Sequence, residues 1–283
     1  MKRSRMESQK IPQNLTALGL IAGKGRYPAL VIQAARQAGL EKIAMAAFEG
    51  ETSLEVAEMA DEVAWMRVGQ LGKLLHILRS FDVEDVMMAG QITPGRLFDL
   101  RPDWQALKVL LSLKQRNAET LFGAVADAIE QHGLRLLPAT TFLNQYVAAE
   151  GLLAGPRADR QLQWDLDTAW PVVKQLSALD VGQCVVVKQG TILAVEGYDG
   201  TNATIRRGGE LGRGGATLCK ISKPNQDFRF DVPVIGLDTV KICQEAGIQR
   251  IILESGKALI LDQAEVFTFC KQNKITLWGN APK

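Results

Sequence analysis

A chain of 283 residues in which 47% are apolar has the hydrophobic surface for a sizeable core, and its length suits one large domain or two ordinary ones. Its 33 Lys and Arg against 31 Asp and Glu leave a formal charge of +2, which speaks against nucleic acid as the main partner. Two histidines and four cysteines argue against a His-rich zinc enzyme and against a disulfide scaffold.

Taken in chain order, the first half alternates strand and helix. Residues 1–14 read as a disordered tail carrying Lys2, Arg3, Arg5 and Lys10. The apolar run Leu15 to Ala22 that follows is far shorter than the ~18 residues of a membrane span, and it ends in glycine, so it reads as a first strand rather than a signal peptide. A helix from about Tyr27 to Ala38 comes next, then strands Lys42 to Phe48 and Glu62 to Trp65. Leu71, Leu74, Leu75 and Leu78 form a helical stripe. Val83 to Ala89 is a fourth strand, helices follow near Trp104 to Leu113 and Glu119 to Gln131, and Leu134 to Leu137 is a fifth strand. Continuous apolar strands alternating with helices predict an α/β fold with a Rossmann-like parallel sheet over 15–146.

Residues 147–160 are small and glycine-punctuated, as a linker would be. Over 161–283 the pattern is that of an α+β domain. It runs through a helix near Asp165 to Leu179, a hairpin of Cys184 to Lys188 with Thr191 to Glu196, and a glycine-dense stretch Gly197 to Gly215. Strands at 216–221, 232–235, 251–254, 258–261 and 275–278 then alternate with helices near 238–246 and 263–272. Cys184, Cys219, Cys243 and Cys270 each sit in or after an apolar run and read as buried free thiols of a reducing compartment, so the chain reads as cytoplasmic. His76 and His132 lie in helical segments and read as surface or helix-end residues.

Four constellations could carry chemistry. In Gly19-Leu-Ile-Ala-Gly-Lys-Gly-Arg-Tyr-Pro28 a strand feeds a glycine loop and a helix start, a geometry that lets backbone N–H groups meet phosphate. Gly23 and Gly25 are the candidates there, although the spacing fits neither a Walker loop nor a full dinucleotide fingerprint, and a tight turn would look the same. Glu49, after the second strand, suits a ribose hydroxyl or simply an exposed loop. Gln91, Thr93 and Arg96 lie just past the carboxyl end of the fourth strand, where open parallel sheets bind ligands.

The stretch Arg206 to Arg229 holds six basic residues (Arg206, Arg207, Arg213, Lys220, Lys223, Arg229) against Glu210 and Asp227, a local +4 suited to gripping phosphates or to a solvated surface loop. Finally, if Lys223 to Gly236 is extended, Asp227, Arg229 and Asp231 share one face and Phe228 and Phe230 the other. Two carboxylates on one face can hold a hard cation such as Mg²⁺, and a structural ion-pair triad would read identically.

These residues together resemble the LpxI-type UDP-2,3-diacylglucosamine pyrophosphatases of lipid A biosynthesis. The likeness runs from about Leu18 to near the C-terminus. It rests on Gly19-Leu-Ile-Ala-Gly-x-Gly, Ala89-Gly-Gln, Asp180-Val-Gly-Gln, Leu193-Ala-Val-Glu196, Gly200-Thr201, Ile205-Arg206-Arg207 and Lys223-Pro through Asp231-x-Pro-x-Ile-Gly. The resemblance implies hydrolysis of UDP-diacylglucosamine to UMP and lipid X (2,3-diacylglucosamine 1-phosphate), with water directed at the lipid-side phosphorus. It implies Mg²⁺ or another divalent cation such as Mn²⁺, two domains with substrate between them, and work at the cytoplasmic face of the inner membrane as a peripheral protein, compatible with a homodimer.

The family's essential aspartate falls on Asp231. Asp231 is expected to bind the metal or to position water, Asp227 and Glu196 are weaker candidates for that role with Asp227 as the second metal ligand, and Arg229 is expected in the same catalytic group. Gly23, Gly25, Gln91, Thr93, Glu196, Thr201, Arg206, Arg207, Lys223 and Gln226 are the expected substrate contacts. The family often carries Gly-Thr-Asp where this chain has Gly200-Thr201-Asn202, and paired acids where it has Asn117-Ala118-Glu119, so no carboxylate role carries over to those places. Two other classes compete: an NAD(P)-dependent oxidoreductase, on the glycine loop, and a non-catalytic nucleotide-sugar or lipid binding protein.

Overall fold

The structure, a computed structural model, describes residues 11–12, 15–93, 102–113, 118–224 and 226–281. Most of the expected basic tail, Arg96 and Asn117 lie outside the described residues. The chain divides into two compact units. Among the described residues, those from 11 to Asn144, with Asp227–Asp231, form the N-terminal unit; Gln145–Gln226 and the chain from Val232 form the C-terminal unit.

The N-terminal unit is built on β1 (Ala17–Ala22), β2 (Lys42–Phe48), β3 (Glu62–Met66), β4 (Asp85–Ala89) and β5 (Arg135–Leu136), in the order β3-β2-β1-β4-β5, all parallel. The helices are α1 (Tyr27–Gln37), α2 (Leu54–Ala57), α3 (Leu71–Ser80), α4 (Trp104–Ser112) and α5 (Ala118–Gln131). Pro28 opens α1, where its missing N–H costs nothing. One face of the sheet packs Ile21, Ala46 and Val86 against the leucine stripe of α3 and against Ala126 and Ile129 of α5. The alternate residues Leu20, Met45 and Met87 are buried too. Both faces are therefore covered, which is why the strands read as unbroken apolar runs. The strand order reverses between β1 and β4, and their carboxyl ends define the switch point of a doubly wound sheet.

The C-terminal unit has a six-stranded mixed sheet: β6 (Gly151–Ala154), β13 (Thr276–Asn280), β11 (Ile248–Glu254), β9 (Ala216–Lys220), β7 (Cys184–Lys188) and β8 (Thr191–Val195) in that spatial order. A short pair, β10 (Val234–Ile235) and β12 (Leu259–Ile260), lies apart from it. Val186, Leu218 and Ile251 face one core with α7 (Gly200–Gly212), α8 (Leu237–Glu245) and α9 (Gln263–Gln272). Their neighbours Val185, Cys219 and Ile252 face a second core with α6 (Arg160–Ala178). This period of two places helices on both faces of the sheet. All four cysteines are buried free thiols, as expected, and burial pushes each thiol pKa up.

Three expectations are corrected. The stretch expected as a linker contains β6, an edge strand paired antiparallel to β13. The glycine-dense stretch, to which the sequence assigns no element, forms α7. Gly208 faces β7 there, and a Cβ on it would lie 2.4 Å from the Val186 Cβ, so the helix can pack that closely only without a side chain. The segment Asp227–Asp231 is not extended. The Phe230 and Asp231 N–H groups both donate to the Asp227 carbonyl (3.2 and 2.9 Å), closing a helix-like turn. That turn belongs to the N-terminal unit, although its sequence lies within the span expected as the C-terminal domain.

Candidate functional site

In the N-terminal unit the glycine loop meets the end of β4. The Gly23 N–H donates to the Ala89 carbonyl (2.8 Å), and Lys24 and Gln91 exchange backbone hydrogen bonds of 2.7 and 3.1 Å. Gly90 has φ +95°, and a Cβ there would stand 2.8 Å from the Gly23 carbonyl carbon. The close approach that Gly23 permits is thus to the protein's own backbone. The two motifs read separately from the sequence are two halves of one contact at the switch point. Gly25 is exposed on its rim. Thr93 donates its N–H (3.2 Å) and its hydroxyl (3.0 Å) to the buried Glu51, an acid the sequence reading missed because its neighbours show no motif. Glu49 is exposed and pairs with Arg67.

The Asp227–Asp231 turn is fastened beside this loop by named contacts. The Tyr27 hydroxyl donates to the Ala139 carbonyl (2.5 Å), and the Ala139 N–H donates to the Phe228 carbonyl (2.8 Å). Phe230 packs on Phe122 of α5 with ring centroids 6.1 Å apart. The Arg229 guanidinium binds Asp227 through Nε and Nη2 (2.7 Å to Oδ2), Glu130 through Nη1 (2.8 Å) and Asp127 through Nη2 (3.3 Å). Partial burial raises the Asp227 pKa, but the Arg229 hydrogen bonds and charge outweigh it and hold the carboxyl below its usual value.

Two expectations bear on this geometry. Three carboxylates surround Arg229, so it fastens the turn rather than gripping phosphate. Both Asp227 oxygens are engaged by that same guanidinium, and the two-carboxylate Mg²⁺ or Mn²⁺ site expected of Asp227 and Asp231 does not fit this arrangement. Among the described residues no group of three or more His, Cys, Asp or Glu could hold a metal ion.

In the C-terminal unit, Glu196 is 8% exposed and accepts from the Thr201 hydroxyl (2.7 Å) and the Gln183 N–H (2.8 Å). Lys220 Nζ donates to Thr201 (3.2 Å) and to the Val234 carbonyl (3.2 Å). The Lys223 N–H donates to Gln226 Oε1 (2.8 Å), and its ammonium pairs with Asp180. Glu196, Thr201, Lys220, Lys223 and Gln226 are therefore linked in two short networks. The expected basic clamp is not a single feature. Arg206, Arg207 and Arg213 lie exposed on or just after α7, Arg207 is paired with Asp199, and Arg229 belongs to the other unit.

A doubly wound N-terminal unit followed by a mixed-sheet unit, with one turn of the second half folded into the first, defines a two-domain α/β protein. Residues 17–146 match the LpxI N-terminal domain and 149–278 the LpxI C-terminal domain. The chain belongs to the LpxI family. A relative from Caulobacter vibrioides, described as UDP-2,3-diacylglucosamine pyrophosphatase LpxI, is 32% identical over 278 residues, covering 94% of this chain and 98% of the relative.

Solved structures give only faint likeness. The biotin carboxylase domain of Hydrogenobacter thermophilus 2-oxoglutarate carboxylase is 16% identical with a TM-score of 0.28, over 71% of this chain and 40% of that one. The biotin carboxylase subunit of pyruvate carboxylase is 12% identical with a TM-score of 0.27, over 65% and 36%. The chain spans less than half the length of either.

Proposed function

We propose that this chain hydrolyses the diphosphate of UDP-2,3-diacylglucosamine, releasing UMP and 2,3-diacylglucosamine 1-phosphate. The observation that carries the reading is the full-length relationship to the Caulobacter pyrophosphatase. Water attacks the lipid-side phosphorus, the bond from that phosphorus to the bridging oxygen breaks, and UMP leaves with the bridging oxygen. The water oxygen ends in the lipid phosphate.

Asp231 orients that water on a turn whose shape is set by Arg229 and Phe230. Holding a reacting group in place contributes to rate because the entropy of orientation is lost before the reaction rather than during it. The substrate's acyl chains favour work at a membrane surface, and the reading puts that work at the cytoplasmic face of the inner membrane. Trp104 and Leu111, both 69% exposed and two helical turns apart on α4 with Lys108 over the Trp104 ring, support a peripheral contact there. No helix among the described residues is long and apolar enough to cross a membrane.

The test is UMP release from the diacyl substrate by the unaltered chain and by Asp231→Ala. Turnover that collapses while the melting temperature holds supports the reading, and unchanged turnover removes Asp231 from it. In ¹⁸O-water the label should appear in the lipid phosphate. Label in UMP instead would reverse the point of attack.

A further inference from the structure

We propose that a cleft in the C-terminal unit, walled by Asp180, Gln183, Glu196 and Lys223, is a subsite for a neutral, hydroxyl-bearing ring. Its occupant is either the nucleoside or the amino sugar of a diphosphate-linked substrate, and the assignment rests on the reaction proposed above.

The cleft is formed by a motif that the hydrolysis leaves without a role, Asp180-Val-Gly-Gln183. The backbone there is fixed. Asp180 sits in the left-handed region at φ 56°, and a Cβ on Gly182 would lie 2.4 Å from the Glu196 carbonyl oxygen. The Ile221 N–H donates to the Gln183 carbonyl (2.9 Å), and the Glu196 N–H donates to the Cys184 carbonyl (2.9 Å). A site held this way is in place before its ligand arrives. Its volume is about 190 Å³, below the roughly 300–1,000 Å³ of a whole-ligand pocket, so it takes one ring.

The lining selects by hydrogen-bond polarity. Gln183 Oε1 is buried with no hydrogen-bond partner among the described residues. A buried acceptor in that state is stabilised by an incoming O–H or N–H. Asp180 and Glu196 add carboxylate acceptors, and the Lys223 ammonium is paired with Asp180. Two acids against one base leave the walls acceptor-rich and net negative, which disfavours a diphosphate and favours a hydroxyl donor. Gln226, which fixes the Lys223 backbone, is 7% exposed and carries a buried Nε2 with no partner among the described residues.

The test titrates the full chain with uridine, N-acetylglucosamine and inorganic pyrophosphate by calorimetry, and in the unaltered chain also follows the Gln183 side-chain amide resonance. One neutral ring should shift it, uridine identifying the nucleoside and N-acetylglucosamine the sugar. Gln183→Met, close in volume, and Asp180→Asn, as a second variant, should each weaken that binding about tenfold. With the diacyl substrate, KM should rise by a similar factor. A response to pyrophosphate alone, to no probe, or with unchanged affinity in both variants overturns the assignment. An unaltered chain that fails to turn over the diacyl substrate while still binding the ring overturns the reaction and leaves the subsite standing.

Discussion

The Tyr27 hydroxyl and the Phe228 carbonyl are joined through one residue, Ala139, which accepts from the first (2.5 Å) and donates to the second (2.8 Å). Tyr27 opens the helix after the glycine loop, and Phe228 lies on the turn that ends in Asp231. The bridge ties the start of the chain to a motif from its second half. Burial pushes the phenol pKa upward, so Tyr27 stays a neutral donor across physiological pH.

Tyr27→Phe leaves the Ala139 carbonyl without this donor. The expected cost is about 1–3 kcal/mol of stability, read from the urea midpoint with the slope unchanged. UMP release should fall further than stability alone accounts for, since the turn is then held by fewer contacts. Loss of stability with full turnover would separate the bridge from the reaction.

Arg229 gives an ordered set of couplings. Asp227 is the least exposed of its partners and is bound through two nitrogens, while Glu130 and Asp127 are progressively more exposed. Double-mutant cycles should rank Asp227 first, with Glu130 and Asp127 each below about 1 kcal/mol. The Asp227 carboxyl is held below its usual value, so its contribution is complete above about pH 4 and fades as pH falls through the depressed value. The melting gap between the unaltered chain and Asp227→Asn should accordingly be constant from pH 7 to about 5 and shrink below 4. A gap independent of pH would show that the charge contributes nothing.

Much of the fold was legible because its strands are short apolar runs and its helices carry clear stripes, as in Leu71 to Leu78. What misled was residues with two physical uses. Gly208 sits in a glycine-dense stretch that carries no helical signal, yet here it lets a helix approach Val186. Arg229 reads as a phosphate ligand between two acids, yet two more acids reach it from α5, far away in sequence. Glu51 was invisible because its role depends on Thr93, brought beside it only by the parallel sheet. Periodicity reports which way a side chain faces. It does not report what waits on that side.

Gly90→Ala should be among the most damaging single substitutions. The residue combines φ +95° with backbone atoms 2.8 Å from the new Cβ, and neither Gly23 nor Lys24 can move without breaking the Lys24–Gln91 pairing. A cost above about 3 kcal/mol is expected, from strain and overpacking together. Gly25→Ala has the same φ and open space around it, so strain of about 1–2 kcal/mol is the whole effect. Chemical denaturation of the two variants checks the difference, and equal costs would mean that the loop contact adds nothing.

The exposed face of α4 predicts a membrane effect separable from chemistry. Trp104→Ser with Leu111→Ser removes apolar surface that no other described residue covers to more than about a third. Sedimentation with anionic phospholipid vesicles should fall several-fold while circular dichroism and melting stay unchanged. Equal sedimentation would place the membrane contact elsewhere.

Glu254 offers the sharpest stability test. Its side chain is fully buried at the end of β11 and takes Lys174 (2.7 Å) and Lys257 (3.1 Å) on Oε1, with the Ser222 N–H (2.9 Å) and hydroxyl (2.7 Å) on Oε2. It thereby fixes the exit of β9, one residue before Lys223 and the proposed ring subsite. Burial raises its pKa, but the hydrogen bonds from Lys174 and Ser222 and the Lys174 charge outweigh that, and the net shift is downward. A depressed carboxyl stabilises the fold above its unfolded value, near pH 4.5, and loses that contribution as pH falls through the folded value. Glu254→Gln leaves two lysines without their counter-charge and should cost about 2–4 kcal/mol at pH 7, less than a fully enclosed pair because Lys174 reaches solvent. Urea midpoints of both proteins from pH 7.5 to 3 should converge only at the acid end. If they coincide at every pH, the network is held by shape and hydrogen bonds alone, and the charge on Glu254 is dispensable.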